Sequence, residues 1–356
     1  MLHLISRCSS YLIFALPLLN SVLAATYTLS KTWKGNDFFQ GFTWWEWDDP
    51  TQGRVNYVNQ ETAIARNLSY VNGDNFIMRA DSTNVVDPSA RGRDSVRIHS
   101  KETYTDGILI IDVKHMPVGC GTWPAFWTCT RNGPWPTGGE VDIIEGIYGI
   151  NQQYSNNLFT LHSDAGCNMP PASGQNRGTG TSLLNDCTGG VGCGVRDTSS
   201  KSFGEEFNKG QGGMRVFSVN GPRFVMRRSH TRGFSFWFWP HNSPKAPSDI
   251  TTGSNVIMES NLNAPIANFP ADQCDINRHF DDHEIIINLT FAGSWAGATP
   301  QWSASGCAGS VGWTPDDYVD KNPQAFSEAY WEIRSLKWYT PVCAVKARKR
   351  ALDSIF

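Results

Sequence analysis

Charge is scarce in this chain. Asp, Glu, Lys and Arg make up 18% of its 356 residues against 40% hydrophobic, which excludes a solvated, disordered polymer. The signs nearly cancel, with 30 basic and 33 acidic side chains for a net charge of -3, and no basic run lies in the body of the chain. A sequence-independent grip on nucleic-acid phosphates is therefore not expected. Past the N-terminal segment no apolar stretch approaches the roughly 20 residues that cross a bilayer, so no membrane partner is expected either. Long amphipathic helix patterns, internal repeats and Ser/Thr/Pro-rich linkers are also missing, which leaves one folded domain rather than a string of modules. Gly-x-Ser-x-Gly does not occur, nor a paired Cys-x-x-Cys, and the loop Gly189 to Gly194 lacks the Lys-Ser/Thr partner of a phosphate cradle. The segment Arg278 to Glu284 holds His279 and His283, but it precedes a strand rather than riding on a helix, so i, i+4 spacing does not bring the two imidazoles together. No metal and no cofactor are expected.

What the chain has is aromatic and turn-rich: 14 Trp, 19 Phe, 33 Gly and 19 Pro. Such a composition favours short strands, many turns and flat apolar faces, for which sugar rings are one natural partner. Residues 1–24 read as a signal peptide, with Arg7 early, an apolar stretch from Tyr11 to Leu19 and small residues before a cut after Ala24. The expected product is secreted and monomeric, a domain over 25–345 followed by a basic tail over 346–356. Of nine cysteines, Cys8 leaves with the leader, and the remaining even number in an oxidising compartment predicts disulfides without selecting a pairing. Sequons at Asn67 and Asn288 are candidate glycan sites, although Asn288 falls inside an expected strand.

Strand patterns recur at Asn75 to Arg79, Ser95 to His99, Gly107 to Val113, Glu140 to Glu145, Leu158 to His162, Gly233 to Trp239, His283 to Phe291 and Ala329 to Tyr339. They are rich in β-branched and aromatic residues and separated by Gly, Pro, Asn and Asp. Runs apolar on both faces, such as Ile285-Ile286-Ile287, point to strands covered on both sides. The fold class is all-β, an antiparallel sandwich or closed β architecture. The stretch from Pro171 to Gly213 has no clear period and is expected to form disulfide-pinned loops.

The most informative segment is Gly138-Gly139-Glu140-Val141-Asp142-Ile143-Ile144-Glu145-Gly146. Alternation places Glu140 and Asp142 on one face and Val141 and Ile143 on the other. Glu145 comes one position late, and a single β-bulge near Ile143-Ile144 would return it to the acidic face. Three carboxylates so close repel unless one holds a proton, and an acid beside an ionised carboxylate is the pair that cleaves acetals between sugars. An ordinary solvated acidic strand is the alternative. Trp123, Trp127 and Trp135 nearby, with His162 on the next strand, weigh against it.

At these residues the chain resembles glycoside hydrolase family 16, in its secreted fungal endo-β-1,3(4)-glucanase (laminarinase-like) branch. The resemblance is carried by Asp49 to Val58, Ser95 to Lys101, His115 to Trp127, the bulged Glu140 to Gly146 signature, Thr160-Leu161-His162, Asn288 to Phe291 with Trp295-Ala296-Gly297, and Ala329-Tyr330-Trp331. It implies a β-jelly-roll of two curved antiparallel sheets with a β-glucan polysaccharide lying across the concave face. By position it implies Glu140 as nucleophile, Glu145 as general acid and base, Asp142 as the residue that holds Glu140, and His162 as a partner of the cluster. Trp127, Trp135 and Trp295 correspond to cleft aromatics and Arg97 to a glucose-contacting arginine. Two departures stand out. The family's common Cys-Gly-Asp is here Ala292-Gly293-Ser294, so one familiar disulfide is absent or rearranged. The stretch Gly213 to Trp239, with Arg215, Arg223, Arg227 and Arg228, is longer and more basic than usual, and a solvated loop or hairpin is expected there. A cell-wall transglycosylase and a non-catalytic β-glucan-binding protein are the competing functions.

Overall fold

The computed structural model describes residues 25–150, 154, 156–170, 178–210 and 221–342. The leader, the basic tail, Arg215, Cys343 and parts of the long glycine-rich stretch lie outside the described residues.

Two antiparallel sheets dominate. The first places Val256–Met258, Thr26–Trp33, Tyr330–Pro341, Gly107–His115, Arg223–Ser229, Gly233–Trp239 and Ala267–Phe269 side by side, with Asn75–Arg79 and Ser69–Asn72 branching from Tyr330–Pro341. The second runs Thr181–Ser182, Cys193–Arg196, Leu158–His162, Glu140–Glu145, Thr122–Thr130, His283–Phe291, Arg97–Ser100 and Phe42–Trp44. Side chains such as Phe126, Val141, Phe159, Ile285 and Ile287 of the second sheet meet Leu109, Ile111, Phe224, Phe236 and Ile333 of the first in one core cluster. This is the sandwich the alternating pattern foretold. The longest described helix, Pro315–Lys321, has 7 residues, and among the described residues no helix is long and apolar enough to cross a membrane.

One central strand, Thr122–Thr130, escapes the sequence pattern because it contains Pro124, a residue that argues against a central position. The structure accommodates it because the acidic strand ends opposite Ala125, so Pro124 is paired in register with Leu289 alone. The basic stretch requires a correction. Its described part is a hairpin, Arg223–Ser229 with Gly233–Trp239, but it is not solvated. Both strands lie inside the first sheet, and Arg223, Arg227 and Arg228 are buried. Arg228 donates to the carbonyls of Phe280 and Asp281, Arg227 donates to that of Gly233, and Arg223 faces Asp112. Carbonyl and carboxylate acceptors in the sheet and in the loop before His283–Phe291 let these cations be covered, which composition alone does not reveal.

Disulfides join Cys120 to Cys307, Cys167 to Cys274 and Cys187 to Cys193, and Cys129 is free. Only the Cys187–Cys193 bridge lies within the period-less stretch; Cys167 of the second bridge sits just before it.

Candidate active site

The second sheet presents one face to the core, and register alone decides what the opposite face carries. Glu140 lies opposite Cys129 and His162, and Asp142 opposite Trp127 and Thr160. The register then jumps, so that Ile144 pairs with Phe126 and Glu145 with Ala125. Ile143 is thus the extra residue of a β-bulge, and Glu145 returns to the face of Glu140 and Asp142. A bulge leaves backbone groups without ladder partners, and Asn157, fully buried, supplies them: its amide donates to Ile143 O at 2.8 Å and its Oδ1 accepts from Glu145 N at 3.1 Å. The approach to the strand is fixed by Gly139 at φ +82°, where an added Cβ would lie 2.3 Å from the Phe280 ring and 2.7 Å from His279 O.

Each outer carboxylate has its own indole. Trp135 Nε1 donates to Glu140 Oε2 at 2.9 Å, and Trp123 Nε1 donates to Glu145 Oε1 at 3.0 Å. Trp123 also meets Trp295 edge-on, with ring centroids 5.3 Å apart. His162 Nδ1 donates to the Gly189 carbonyl at 2.8 Å, in the loop closed by the Cys187–Cys193 bridge, which turns Nε2 toward the acids. Nε2 stands 3.3 Å from Asp142 Oδ2 and 4.0 Å from Glu140 Oε1.

Burial is the largest influence on Glu140, Glu145 and His162. Desolvation, followed by the Asp142 charge, pushes Glu140 and Glu145 each up to about 8 from the usual 4.5. Burial alone would lower His162, but contact with Asp142 and the charges of Asp142 and Glu140 outweigh it and raise the imidazole to about 10. The histidine is therefore a cation at neutral pH. It stands nearest Asp142, with Glu140 next at 4.0 Å, and its positive charge lowers both Glu140 and Glu145 against the effect of burial.

Among the described residues Glu140, Asp142 and His162 are also the set whose ligand atoms come within 4.8 Å of one another, as a metal site would need. An ion there would have to displace the Nε2 proton that the two carboxylates stabilise, so the donor set as folded suits an acid cluster better. The other histidine pair is disqualified by its partners. His279 Nδ1 pairs with Asp164, while His283 accepts from Thr128 Oγ1 and donates to Gly138 O, its pKa lowered to about 3 chiefly by burial.

Further along the same face, the Arg97 guanidinium carbon stands 4.8 Å from the Trp45 ring centroid and 5.0 Å from that of Trp127. Arg97 Nε donates to His99 Nε2 at 2.9 Å, His99 Nδ1 donates to Glu284 Oε1 at 2.7 Å, and Arg131 grips Glu284 Oε2. Trp127 Nε1 donates to Asn288 Oδ1 at 2.7 Å, and Asn288 Nδ2 donates to Tyr57 Oη at 3.3 Å. This corrects the second sequon: the Asn288 amide is buried and committed on both ends, leaving no room for a glycan. Asn67, by contrast, is exposed. The acid trio, His162, Trp127 and Arg97 thus share the face of the second sheet turned away from the core, with Trp135 and Trp295 beside them. Trp45, Asn157, His99 and Glu284 are the members that the sequence reading missed, while Trp123 was noted beside the acids without being given a role.

Known proteins share the fold and a substantial part of the sequence. Residues 42–339 match a family model described as the XgeA-like catalytic GH16 domain. A probable glycosidase of Schizosaccharomyces pombe is 39% identical over 325 residues, covering 90% of this chain and 70% of its own length. The chain spans under half the length of Aspergillus fumigatus relatives described as probable endo-1,3(4)-beta-glucanases, 45% at 38% identity. Among solved structures, Laminarinase 16A from Phanerochaete chrysosporium, with β-glucans in its donor and acceptor sites, is 44% identical with a TM-score of 0.81 over 89% of this chain and 100% of that one. An elongating GH family 16 β-1,3-glucosyltransferase is 33% identical, with a TM-score of 0.74 over 88% and 100%.

Proposed function

The chain belongs to the XgeA-like GH16 catalytic-domain family, and from that premise we propose that it is a retaining, endo-acting hydrolase of β-1,3- and mixed β-1,3/1,4-glucans. The observation that carries this reading is the bulged strand that turns Glu140, Asp142 and Glu145 to one face beside a charged His162. Glu140, ionised, attacks the anomeric carbon. Glu145, protonated, delivers its proton to the departing glycosidic oxygen. The C–O bond to the leaving sugar breaks, the C–O bond to Glu140 forms, and the proton travels from Glu145 to the leaving alkoxide, so atoms and charge balance. Once Glu140 is esterified its charge is gone, and with it one of the charges that raise Glu145. The Glu145 pKa falls, which suits its second task of taking a proton from the water that hydrolyses the ester. Asp142 and His162 hold the charge distribution that makes this asymmetry work. Trp127, Trp135, Trp295 and Arg97 serve as sugar contacts, and Asn67 is the remaining glycan candidate.

Secretion is part of the proposal, supported by the three disulfides among the described residues. Transfer of the glycosyl group to another sugar is the second reading, favoured by likeness to the glucosyltransferase. Incubation with laminarin and sizing of the products tests both, with proton NMR of the first-formed anomer. Short oligomers released in the β configuration support hydrolysis, longer chains support transfer, and unchanged polymer contradicts both.

A further inference from the structure

The stack around Arg97 does not end at Trp45. Trp45 follows the edge strand Phe42–Trp44, and its backbone N–H continues the pairing by donating to Arg97 O at 2.8 Å. Its ring lies on His99 at 5.0 Å and 12°, and meets Trp47 edge-on at 5.1 Å. Trp47 is 63% exposed, an expensive placement for the largest apolar side chain. Looseness does not explain that exposure, because the loop is tied down on both sides of the indole. Arg91 donates to Glu46 O at 3.1 Å and pairs with Asp48 at 3.0 Å. Asp49 accepts from Thr51 Oγ1, from Gly53 N and, at 2.6 Å, from Thr290 Oγ1 of the second sheet.

An aromatic path therefore runs from Trp127, beside Asp142, through Arg97 and Trp45 to Trp47. The acidic strand and the edge strand Phe42–Trp44 are four positions apart in the sheet order, roughly 19 Å at the usual strand spacing. A path of that length can carry several linked sugars. We propose that Trp45 and Trp47 form an outer sugar subsite that stacks on the apolar face of a pyranose several rings from the scission point, and so favours long β-glucan chains over short ones. The inference rests on the hydrolase reading for its substrate class. Its physical basis is separate: a solvent-facing indole that continues the Arg97 and Trp45 stack, where a sugar's C–H face would cover surface that the fold leaves wet.

The test is the chain-length dependence of kcat/KM for the full protein on laminari-oligosaccharides of three to seven units, measured through released reducing ends. In parallel, calorimetry measures the affinity of the Glu140→Gln protein for the same series. Trp47→Ala should lower kcat/KM on the six- and seven-unit substrates about tenfold, through KM and not kcat, and lower their affinity by a similar factor. Trp47→Phe should restore most of both. Retention by Trp47→Ala of the full advantage of long chains, or an equal loss at every length, overturns the proposal. If the wild-type protein cleaves none of these substrates, the hydrolase reading fails instead, and the calorimetric series still decides whether the subsite exists.

Discussion

Replacing His162 by glutamine removes a positive charge that faces Glu140 at 4.0 Å and Asp142 at 3.3 Å. Unit charges 4 Å apart interact by about 4 kcal/mol at an effective dielectric of 20. The His162 and Glu140 side chains are 10% and 15% exposed, and the charge is shared with Asp142. Halving the figure for solvent gives about 2 kcal/mol, or ~1.5 pKa units. The sign follows from the competent state, with Glu140 ionised and Glu145 protonated. Loss of the cation raises both carboxyls, since His162 lowers each of them. The acid limb of kcat/KM, where Glu140 gains its proton, should move to higher pH by about 1.5 units. The alkaline limb, where Glu145 loses its proton, should move up less, because His162 acts on it only through space. Activity well below the acid limb should fall about 30-fold, with the thermal midpoint measured to confirm folding. Initial rates on laminarin in overlapping buffers supply the profile. In the wild-type protein the His162 ring resonances should not titrate between pH 5 and 8, since the imidazole is raised to about 10. A His162→Gln profile whose acid limb overlays the wild type, or a His162 that titrates near its ordinary value, would refute the reasoning.

Other outcomes can be checked on the same protein. Glu145 is raised from 4.5 to about 8 by burial first, so its contribution to stability is fully present below 4.5 and lost as pH rises through about 8. Glu145→Gln should therefore melt higher than the wild type at pH 8, by ~2 °C for each kcal/mol recovered, and gain nothing at pH 4; differential scanning calorimetry at both pH values decides it. Trp123→Phe removes the donor that lowers Glu145, so the alkaline limb should rise by under about one unit, the worth of a single hydrogen bond. Burial, then the charges of Glu140 and Asp142, push the Cys129 thiol up; a thiol reagent at pH 8 should label the Cys129 peptide at least about 100-fold more slowly in the folded than in the denatured protein, as read by mass spectrometry.

The acidic strand was legible because its chemistry is local: alternation over a few residues and one residue out of step imply both the shared face and the bulge. Strands with uninterrupted apolar or alternating runs, such as Gly233–Trp239 and His283–Phe291, were equally plain. What escaped was non-local. Asn157 braces the bulge from another strand's approach, and His99 meets Glu284 across 185 positions. No spacing rule connects such residues, because only sheet order makes them neighbours. The buried arginines of Arg223–Ser229 were misjudged for a related reason. Charge reads as solvent exposure until the acceptors that cover it are known. Pro124 hid a central strand because the end of the neighbouring ladder cannot be seen in the sequence.

The central claim is that Glu140 attacks the sugar while Glu145 moves the proton. Glu140→Ala opens the space that the carboxylate occupies, and azide can enter it from the same side. With a β-glucosyl donor bearing an activated leaving group, NMR of the product should show restored turnover and an α-configured glycosyl azide. A β-configured azide would give Glu140 the proton-transfer role, and wild-type activity without azide would remove it from the chemistry altogether.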